Sequence, residues 1–391
     1  MIRPFKIDVS QAVLNDLQLR LRNARWIPPG IGSADWTHGT NIHYLRELVR
    51  YWIEDFDWRA REQRLNREAQ FKTVIDGLDI HFIHELGKGD RPLPLLLTHG
   101  YPDSFLRFEK LAPLLTDPAA HGGDPADAFD VIIPSLPGYG FSDKPKTDGT
   151  LFKVADLWAS LMERLGYEQF GAHGGDWGST VTEHLARSYS KSVIGIHLTD
   201  VPFTHLFQKP KDLSHAEEKF IAESQQWQTQ EGAYAMIQST KPQSLAVGLN
   251  DSPVGLAAWL VEKFQRWSDC DGDIESRFTK DELLTHINLY WITESIESSF
   301  QLYYDSANAG ALRWMSEAFK QWIGSSSVPT GFASFPRDLL PPPREWAERF
   351  FNIQRWTKMP RGGHFAALEE PQLLVEDIRA FFKPLRDAIR R

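Results

Sequence analysis

An aspartate stands at the centre of the segment HGGDWG, residues 173–178. Asp176 occupies the middle of the pattern glycine, any residue, nucleophile, any residue, glycine, between a strand-like run and a helix-like stretch. This spacing is typical of a sharp strand-to-helix turn that exposes a reactive side chain, because glycines allow backbone segments to approach closely. We therefore interpret Asp176 as a nucleophile. The alternative is that Asp176 only caps the helix that follows it.

The choice of aspartate at this position is chemically informative. A serine that attacked a saturated carbon would form an ether, which water does not release. A carboxylate forms an ester instead, and water can hydrolyse the ester at its carbonyl carbon. Asp176 therefore indicates alkylating substrates such as epoxides or alkyl halides, and the start of the following helix favours the anion.

An oxyanion hole is predicted from the segment THGYP, residues 98–102, which follows an apolar run. In enzymes of the α/β-hydrolase fold, this loop and the residue after the nucleophile each supply one backbone N–H. The two predicted donors are Tyr101 and Trp177. The Tyr101-Pro102 bond is a candidate for the cis form.

A base and its acid partner are predicted near the end of the chain. His364 lies in the segment RGGHF, residues 361–365, after the last strand-like run. It is favoured among 13 histidines because the hydrolase order is nucleophile, acid, histidine. Asp338 is the preferred acid to orient His364, since it follows the penultimate strand-like run, and Asp200 is the alternative.

Tyrosines are predicted to assist ring opening if the substrate is an epoxide. The alkoxide that forms needs a proton donor, and a phenol stays protonated at neutral pH. The residues themselves do not select a pair from four tyrosines in the helical part of the chain. These are Tyr234, Tyr290, Tyr303 and Tyr304.

The elements around these residues alternate between strands and helices. Residues 71–75 and 78–83, joined by Asp76-Gly77, predict a hairpin. Four short apolar runs predict buried strands, and helix-like stretches such as 151–165 separate them. The runs are 93–97, 129–133, 170–173 and 193–198. We predict an α/β-hydrolase fold, with a mostly parallel central sheet and helices on both faces.

The domain organisation follows from where this alternation starts and stops. Residues 1–70 read as an N-terminal helical arm, with Ser10 as an N-cap, that packs on a larger body. Residues 71–199 and 326–391 are predicted to form the core, with strands near 331–334 and 352–357 and a last helix over 371–382. Residues 200–325 are mostly helical in pattern and are predicted to form an inserted cap.

Composition restricts the partners and the location. The chain has 391 residues and a net charge of −9, which argues against nucleic acid or an anionic membrane surface as the main partner. The single cysteine, Cys270, excludes an intrachain disulfide framework. The N-terminus does not resemble a signal peptide, and no apolar run approaches the length of a membrane anchor. We expect a soluble protein in a reducing, cytoplasmic location.

The assembled motifs resemble those of the microsomal-type epoxide hydrolases, a group that includes soluble microbial members and the juvenile hormone epoxide hydrolases. The resemblance covers nearly the whole chain. Its most characteristic segments are RNARW (22–26), IQSTKP (237–242), NDSPVGLAAW (250–259) and RGGHFAA (361–367).

The resemblance implies a role for each site residue. Asp176 is implied as the nucleophile, Asp338 as the charge-relay acid and His364 as the base. The ring-opening tyrosines are implied to be Tyr234 and Tyr303, although Tyr304 competes with its neighbour. The group includes dimers, so a homodimer is compatible with the resemblance.

The predicted reaction converts a small apolar epoxide and water to a vicinal diol, with no metal or organic cofactor. Asp176 forms an alkyl-enzyme ester, and a water activated by His364 hydrolyses it. A haloalkane dehalogenase is the closest alternative, because it shares the aspartate and the histidine, and Trp177 would suit either family. A non-catalytic ligand-binding protein on the same fold is the alternative from another class, but such a protein needs neither base nor acid.

Overall fold

One mixed sheet forms the centre of the molecule. The computed structural model describes residues 1–28, 30–146, 153–208, 210–313 and 325–389. Within these ranges the strands are β1 (Arg3–Pro4), β2 (Gln70–Ile75), β3 (Leu78–Glu85), β4 (Leu93–Thr98), β5 (Phe129–Pro134), β6 (Phe170–Gly174), β7 (Val193–Leu198), β8 (Ser326–Ser334) and β9 (Phe351–Lys358). They pair in the order β1-β2-β3-β5-β4-β6-β7-β8-β9.

The direction of the strands agrees with the sequence-based expectation. β1, β2, β3 and β5 pair antiparallel in that order, and every other neighbouring pair, from β5/β4 to β8/β9, is parallel. The hairpin of β2 and β3 turns at Asp76 and Gly77, whose φ angles of 48° and 80° fit a tight hairpin turn. The predicted hairpin and the mostly parallel sheet are therefore confirmed.

Helices connect the strands and fill the segment between β7 and β8. Those of the described residues are α1 (Gln11–Arg22), α2 (Ile42–Glu54), α3 (Trp58–Leu65), α4 (Leu111–Thr116), α5 (Val154–Arg164), α6 (Trp177–Ser188), α7 (His215–Glu231), α8 (Ala233–Thr240), α9 (Pro242–Asp251), α10 (Pro253–Trp267), α11 (Lys280–Thr293), α12 (Ile296–Arg313), α13 (Arg344–Glu348), α14 (Ala366–Glu369) and α15 (Pro371–Ile389). Across the described ranges, none of them combines the length and the apolar character that a membrane span requires.

Both faces of the sheet are covered, as buried parallel strands require. Leu96 of β4 belongs to a buried apolar cluster with Trp158 of α5. Its neighbour Leu95 points to the opposite face, where it shares a second cluster with Phe382 of α15. Successive residues of a central strand therefore contribute to two separate cores, which explains why β4 is a continuous apolar run rather than an alternating one.

The segment between β7 and β8 is helical over most of its described residues, from α7 to α12. The predicted cap, 200–325, includes residues 314–324, which lie outside the described ranges, as do residues 151–152 at the start of the helix expected over 151–165. The boundaries proposed for arm, core and cap stay predictions.

The N-terminal arm packs mainly against this helical segment. Ser10 caps α1 as predicted, because its side chain accepts a hydrogen bond from the Val13 amide. α1 and α2 contact α10, and α2 also contacts α11. The Thr40 hydroxyl donates a hydrogen bond of 2.5 Å to the Ala258 carbonyl of α10. The arm is thus joined to the helices of the predicted cap.

The parallel strands all end at one edge of the sheet, and the predicted site residues follow those ends. Tyr101 comes after β4, Asp176 after β6 and His364 after β9. The carboxyl edge of a parallel sheet is where ligands bind in open α/β folds. The topology therefore brings together residues that are up to 263 positions apart in the sequence (101 to 364).

We predict that the arm contributes directly to the stability of the fold. Leu48 of α2 is fully buried, whereas Leu19 of α1 is 60% exposed. Leu48→Ala should lower the free energy of unfolding by about 2–5 kcal/mol because it leaves a cavity. Leu19→Ala, at nearly equal helix propensity, should change it by about 0.5 kcal/mol or less. Urea unfolding monitored by tryptophan fluorescence measures the midpoint of each variant. Equal midpoints for the two variants would show that the arm packs loosely.

Candidate active site

Asp176 lies at the turn between β6 and α6 in a strained backbone conformation. Its φ is 59° and its ψ is −129°, a combination that non-glycine residues adopt only where the surrounding structure holds them. The carboxylate is 7% exposed. It makes no hydrogen bond that caps α6. The interpretation of Asp176 as only a helix cap is therefore wrong.

Two glycines make this turn sterically possible. A Cβ atom at Gly174 would overlap the carbonyl oxygen of Gly178. A Cβ atom at Gly178 would overlap the carbonyl oxygen of Thr98, at the end of β4. Both glycines are thus needed for the close backbone approach that the sequence predicts at this turn. They allow α6 to start directly beside the end of β4, where the predicted oxyanion loop begins.

The loop after β4 contacts the Asp176 carboxylate directly. The Tyr101 amide donates a hydrogen bond to Asp176 Oδ1, with 2.7 Å between nitrogen and oxygen. Gly100 permits this approach, since a Cβ there would overlap the same carboxylate. The Tyr101-Pro102 bond is cis. Trp177 is the first residue of α6, so its amide is among the free N–H groups at a helix start, and its role as a donor stays a prediction.

His364 lies between two carboxylates. Its Nδ1 is 2.7 Å from Asp338 Oδ1, and its Nε2 is 3.4 Å from Asp176 Oδ2. The ring is 2% exposed. Asp338 therefore orients the imidazole as expected of the acid partner, and Nε2 faces the proposed nucleophile.

Charge determines the proton affinity of His364. Burial alone would lower the pKa of His364, but the carboxylates of Asp338 and Asp176 outweigh burial and raise it to about 10. His364 is accordingly protonated at neutral pH. Any change that neutralises Asp176 removes one of the two anions and lowers the pKa of His364.

Asp200, the alternative acid partner for His364, contacts the turn at Asp176 instead of the imidazole. Its Oδ1 accepts hydrogen bonds from the Asp176 amide at 2.8 Å and from the Ser179 hydroxyl at 2.7 Å. Burial, followed by the nearby Asp338 carboxylate, raises the pKa of Asp200 to about 7. Asp200 therefore braces the backbone of the turn, and the geometry favours Asp338 as the partner of His364.

A buried cation beneath the site was not recognised from the sequence. Arg107 is 3% exposed and forms an ion pair with Asp103, which is fully buried. A Cβ atom at Gly175 would lie 2.7 Å from Arg107 Nη1, so the guanidinium reaches the turn that carries Asp176. An aspartate and an arginine four residues apart usually indicate a solvated ion pair, so the sequence held no signal for this burial.

The two implied tyrosines meet over the oxyanion loop. The ring centroids of Tyr234 and Tyr303 are 5.8 Å apart. Each ring also contacts Tyr101, at 6.2 Å for Tyr234 and 5.5 Å for Tyr303. Tyr303 lies 4.9 Å from the ring of Trp177, next to Asp176. α8 and α12 therefore each bring one tyrosine ring to Tyr101, whose amide binds the Asp176 carboxylate.

The other two tyrosines are placed differently. Tyr304 is half-buried, whereas Tyr303 is 7% exposed. The Tyr290 hydroxyl donates a hydrogen bond of 3.0 Å to the Asp103 carbonyl and so supports the loop after β4. The geometry favours Tyr234 and Tyr303 over these alternatives.

Both phenols are held in the protonated form. Burial and the Asp176 carboxylate raise the pKa of Tyr234, while a hydrogen bond with Tyr303 opposes them. Burial, Tyr234 and Asp176 likewise raise the pKa of Tyr303 well above its ordinary value. The two hydroxyls are therefore hydrogen-bond donors at neutral pH, as a site that receives an alkoxide needs.

Two tryptophans of α10 complete the wall of the site. The Trp259 indole donates a hydrogen bond of 2.7 Å to the Tyr101 hydroxyl. The Trp267 ring lies 5.1 Å from the Tyr234 ring and 5.5 Å from the His364 ring. Nothing in the sequence alone distinguishes these tryptophans from ordinary core residues. Together the rings make a largely aromatic site around one carboxylate.

Comparison with known proteins shows which families the chain resembles. Residues 2–108 match the family profile described as "Epoxide hydrolase N terminus". Residues 94–268 match the profile described as "alpha/beta hydrolase fold". The two matches overlap at residues 94–108, in β4 and the loop after it, and together they cover the arm, strands β1 to β7 and the helices as far as α10.

Individual relatives are similar over almost the whole chain. A "Putative epoxide hydrolase" of Stigmatella aurantiaca is 44% identical over 98% of this chain and 86% of its own. "Epoxide hydrolase 1" of Sus scrofa is 40% identical over 97% of this chain and 88% of its own. The solved structure of the Aspergillus niger epoxide hydrolase superposes with a TM-score of 0.85 at 32% identity, over 98% of this chain and 97% of that one.

The contact between Asp338 and His364 leads to a titration experiment. Asp338→Asn should lower the pKa of His364 by about 1–3 units, because it removes an anion at hydrogen-bond distance. NMR titration of ¹³C-labelled histidine, assigned with His364→Gln, measures the shift. Asp251→Asn, whose side chain is 79% exposed, is the matched control and should leave the pKa of His364 unchanged. An unchanged pKa in Asp338→Asn would contradict the assignment.

Proposed function

The chain belongs to the epoxide hydrolase family, and we propose that it hydrolyses epoxides to vicinal diols through an ester on Asp176. The observation that carries this proposal is the meeting of three groups in one buried site. A carboxylate on a strained turn faces an imidazole, and two protonated phenols lie beside it. Each group corresponds to one requirement of the reaction: nucleophile, base and proton donor.

In the first proposed step, Asp176 attacks a carbon of the epoxide ring. The Tyr101 amide holds Oδ1, so Oδ2 is the oxygen that attacks and Oδ1 becomes the ester carbonyl oxygen. As the carbon–oxygen bond of the ring breaks, charge develops on the epoxide oxygen. Tyr234 and Tyr303 donate hydrogen bonds to that oxygen, and one of them gives its proton to the alkoxide. The tyrosinate that remains regains a proton from solvent.

In the second proposed step, water hydrolyses the ester. Esterification removes the negative charge of Asp176, which is one of the two charges that raise the pKa of His364. The imidazole then loses its proton to solvent more readily, which balances the proton taken up in the first step, and Nε2 is free to take a proton from the attacking water. Asp338 stabilises the imidazolium that results. The water attacks the ester carbonyl carbon, and the Tyr101 and Trp177 amides stabilise the tetrahedral oxyanion. The intermediate collapses with cleavage of the ester C–O bond. The diol oxygen leaves with the proton of the new carboxyl group, and Asp176 returns as a carboxylate beside protonated His364.

The order of events follows from charge. A protonated His364 beside an ionised Asp176 is a stable resting pair but a poor base. An ionised carboxylate is nevertheless the form that attacks, so the first step needs no free base. The same imidazole becomes competent only after the first step has taken place. One pair of residues is therefore suited to two successive steps.

The lining of the site supports an apolar substrate. Aromatic rings of Tyr101, Trp177, Trp259 and Trp267 surround the carboxylate and the phenols. A screen of styrene, aliphatic and terpene oxides with chiral analysis of the diols tests the function and its selectivity. Release of halide from a haloalkane, without diol formation from any oxide, would instead indicate a haloalkane dehalogenase.

The covalent step predicts a trapped ester. His364→Gln should accumulate an adduct of the substrate mass on the peptide that contains Asp176, because water is no longer activated. Mass spectrometry after mixing with styrene oxide measures it. Asp176→Asn should give no adduct, and His43→Gln, at an exposed position, should turn over like the wild type.

Oxygen-18 provides the complementary test. In a single turnover in labelled water, the ester route delivers an unlabelled aspartate oxygen to the first diol and places the label in Asp176. Label in the first diol would mean direct attack by water, and the ester mechanism would be wrong.

The assignment of Tyr303 as a proton donor predicts that substitutions of Tyr303 and of its neighbour Tyr304 have different effects on activity. Tyr303→Phe should lower kcat/KM for diol formation by about 10²-fold, since one of two donors to the developing alkoxide is lost. Tyr304→Phe removes the same atom one residue away and should leave kcat/KM near that of the wild type. Similar losses in both variants, measured by the rate of diol formation from styrene oxide, would refute the choice of Tyr303.

A further inference from the structure

The loop that carries His364 is joined to the end of α10 by backbone hydrogen bonds. The His364 amide donates to the Trp267 carbonyl at 2.8 Å. Two residues earlier, the Gly362 amide donates to Asp269 Oδ2, also at 2.8 Å. The loop after β9 and the segment 267–269 therefore behave as one unit, although they are about 95 residues apart in the sequence.

One carboxylate lies at the centre of this unit. Glu369, the last residue of α14, accepts hydrogen bonds from three backbone amides. Its Oε2 accepts from Gly363 at 3.0 Å and from Asp269 at 2.8 Å, and its Oε1 accepts from Phe365 at 2.9 Å. Gly363 and Phe365 are the residues on either side of His364. A single side chain thus holds both flanks of the proposed base and the first residues after α10.

The packing leaves this unit little freedom. A Cβ atom at Gly363 would lie 2.7 Å from the Trp267 carbonyl oxygen and 2.8 Å from the Asp269 amide nitrogen. Such distances are shorter than van der Waals contact, so the two backbones are as close as a glycine allows. Removal of the carboxylate would leave three amides without their acceptor in this packed contact, and a buried amide without a hydrogen-bond partner is unfavourable.

The end of α10 also contacts one of the two proposed proton donors. The Trp267 ring lies against both the His364 ring and the Tyr234 ring. The position of the end of α10 therefore affects the distance between the base and one of the proton donors. In contrast, Asp176 is held by its own turn and by the Tyr101 amide, neither of which involves Glu369.

We propose that Glu369 is a positioning residue that fixes the backbone on both sides of His364 to the end of α10, and so sets where the base meets the ester. The proposal rests on the proposed function. Its consequence is selective: hydrolysis of the ester depends on Nε2 of His364, whereas formation of the ester depends on Asp176 and the two tyrosines. A displaced His364 loop should slow the second step much more than the first.

The neighbouring residue provides a matched control. Glu370 is 6% exposed, so it is also a buried carboxylate. Its Oε1 pairs with Arg277 Nη1 at 2.8 Å and with Arg361 Nε at 2.7 Å. These are guanidinium partners rather than the amides beside His364. The substitution Glu370→Gln therefore perturbs a buried charge at the next position and its contact with the Arg361 side chain, but it removes no acceptor from the backbone amides of Gly363 and Phe365.

The experiment compares Glu369→Gln and Glu370→Gln with the wild type by rapid mixing. The fastest substrate from the panel of styrene, aliphatic and terpene oxides serves as the probe. Glu369→Gln should lower the rate constant for ester hydrolysis by roughly 10-fold or more while ester formation is nearly unchanged, so the ester accumulates on Asp176. Glu370→Gln should keep the wild-type ratio of the two rate constants. Gly363→Ala, which pushes the same two backbones apart, should reproduce the signature of Glu369→Gln.

The outcomes separate the two proposals. If the wild type forms an ester with none of the oxides, the proposed function fails, and the positioning role falls with it. If the wild type forms and hydrolyses the ester but Glu369→Gln keeps the wild-type ratio, only the positioning role is wrong. An equal slowing of both steps, or the same change of ratio in Glu370→Gln, would mean a general structural role and would also overturn the proposal.

Discussion

The burial of three aspartates around one imidazole is the constraint on which the rest of the site depends. Asp176, Asp200 and Asp338 repel one another in a region that water hardly reaches, and a buried charge without a partner is costly. The structure gives each carboxylate different partners. Asp176 accepts from the Tyr101 amide, Asp200 accepts from the backbone of the turn and from Ser179, and Asp338 contacts His364. Loops after several strands must therefore converge at one edge of the sheet, and the strained φ of Asp176 is tolerated because this convergence holds it.

The same balance of charge links structure to reactivity. Repulsion from Asp338 and Asp176 contributes to the raised pKa of Asp200, and attraction to the same two residues raises the pKa of His364. Esterification of Asp176 reduces the repulsion that raises the pKa of Asp200, and it also weakens the attraction that raises the pKa of His364. The proposed first step therefore removes one source of repulsion at Asp200 and at the same time makes the base available. Two cations offset the carboxylates in the resting state: protonated His364, and Arg107, which is buried beneath the turn.

The sequence predicts those parts of this site that depend on local backbone geometry. The turn at Asp176, the loop of Tyr101 and the glycines before His364 each need a particular spacing, and spacing is visible in a single chain. The remaining parts depend on contacts between distant segments. Nothing local distinguishes Asp103 and Arg107 from a surface pair, or Glu369 from its neighbour Glu370. Tyr303 and Tyr304 are separated only by the register of α12, because successive residues point about 100° apart on a helix, at 3.6 residues per turn.

The position of the N-terminal arm also depends on contacts between segments that are distant in the sequence. The sequence predicts helices there and a body for them to pack on, but it does not say which surface they meet. In the structure, α1 and α2 contact α10, the helix that carries Trp259 and Trp267. Trp259 holds the hydroxyl of Tyr101, and Trp267 separates Tyr234 from His364. The arm therefore supports the helix that lies between the proposed proton donor Tyr234 and the proposed base His364. A segment remote from the chemistry in sequence is only one helix away from it in space, which gives a physical reason for an epoxide hydrolase N-terminal segment to accompany this form of the α/β-hydrolase fold.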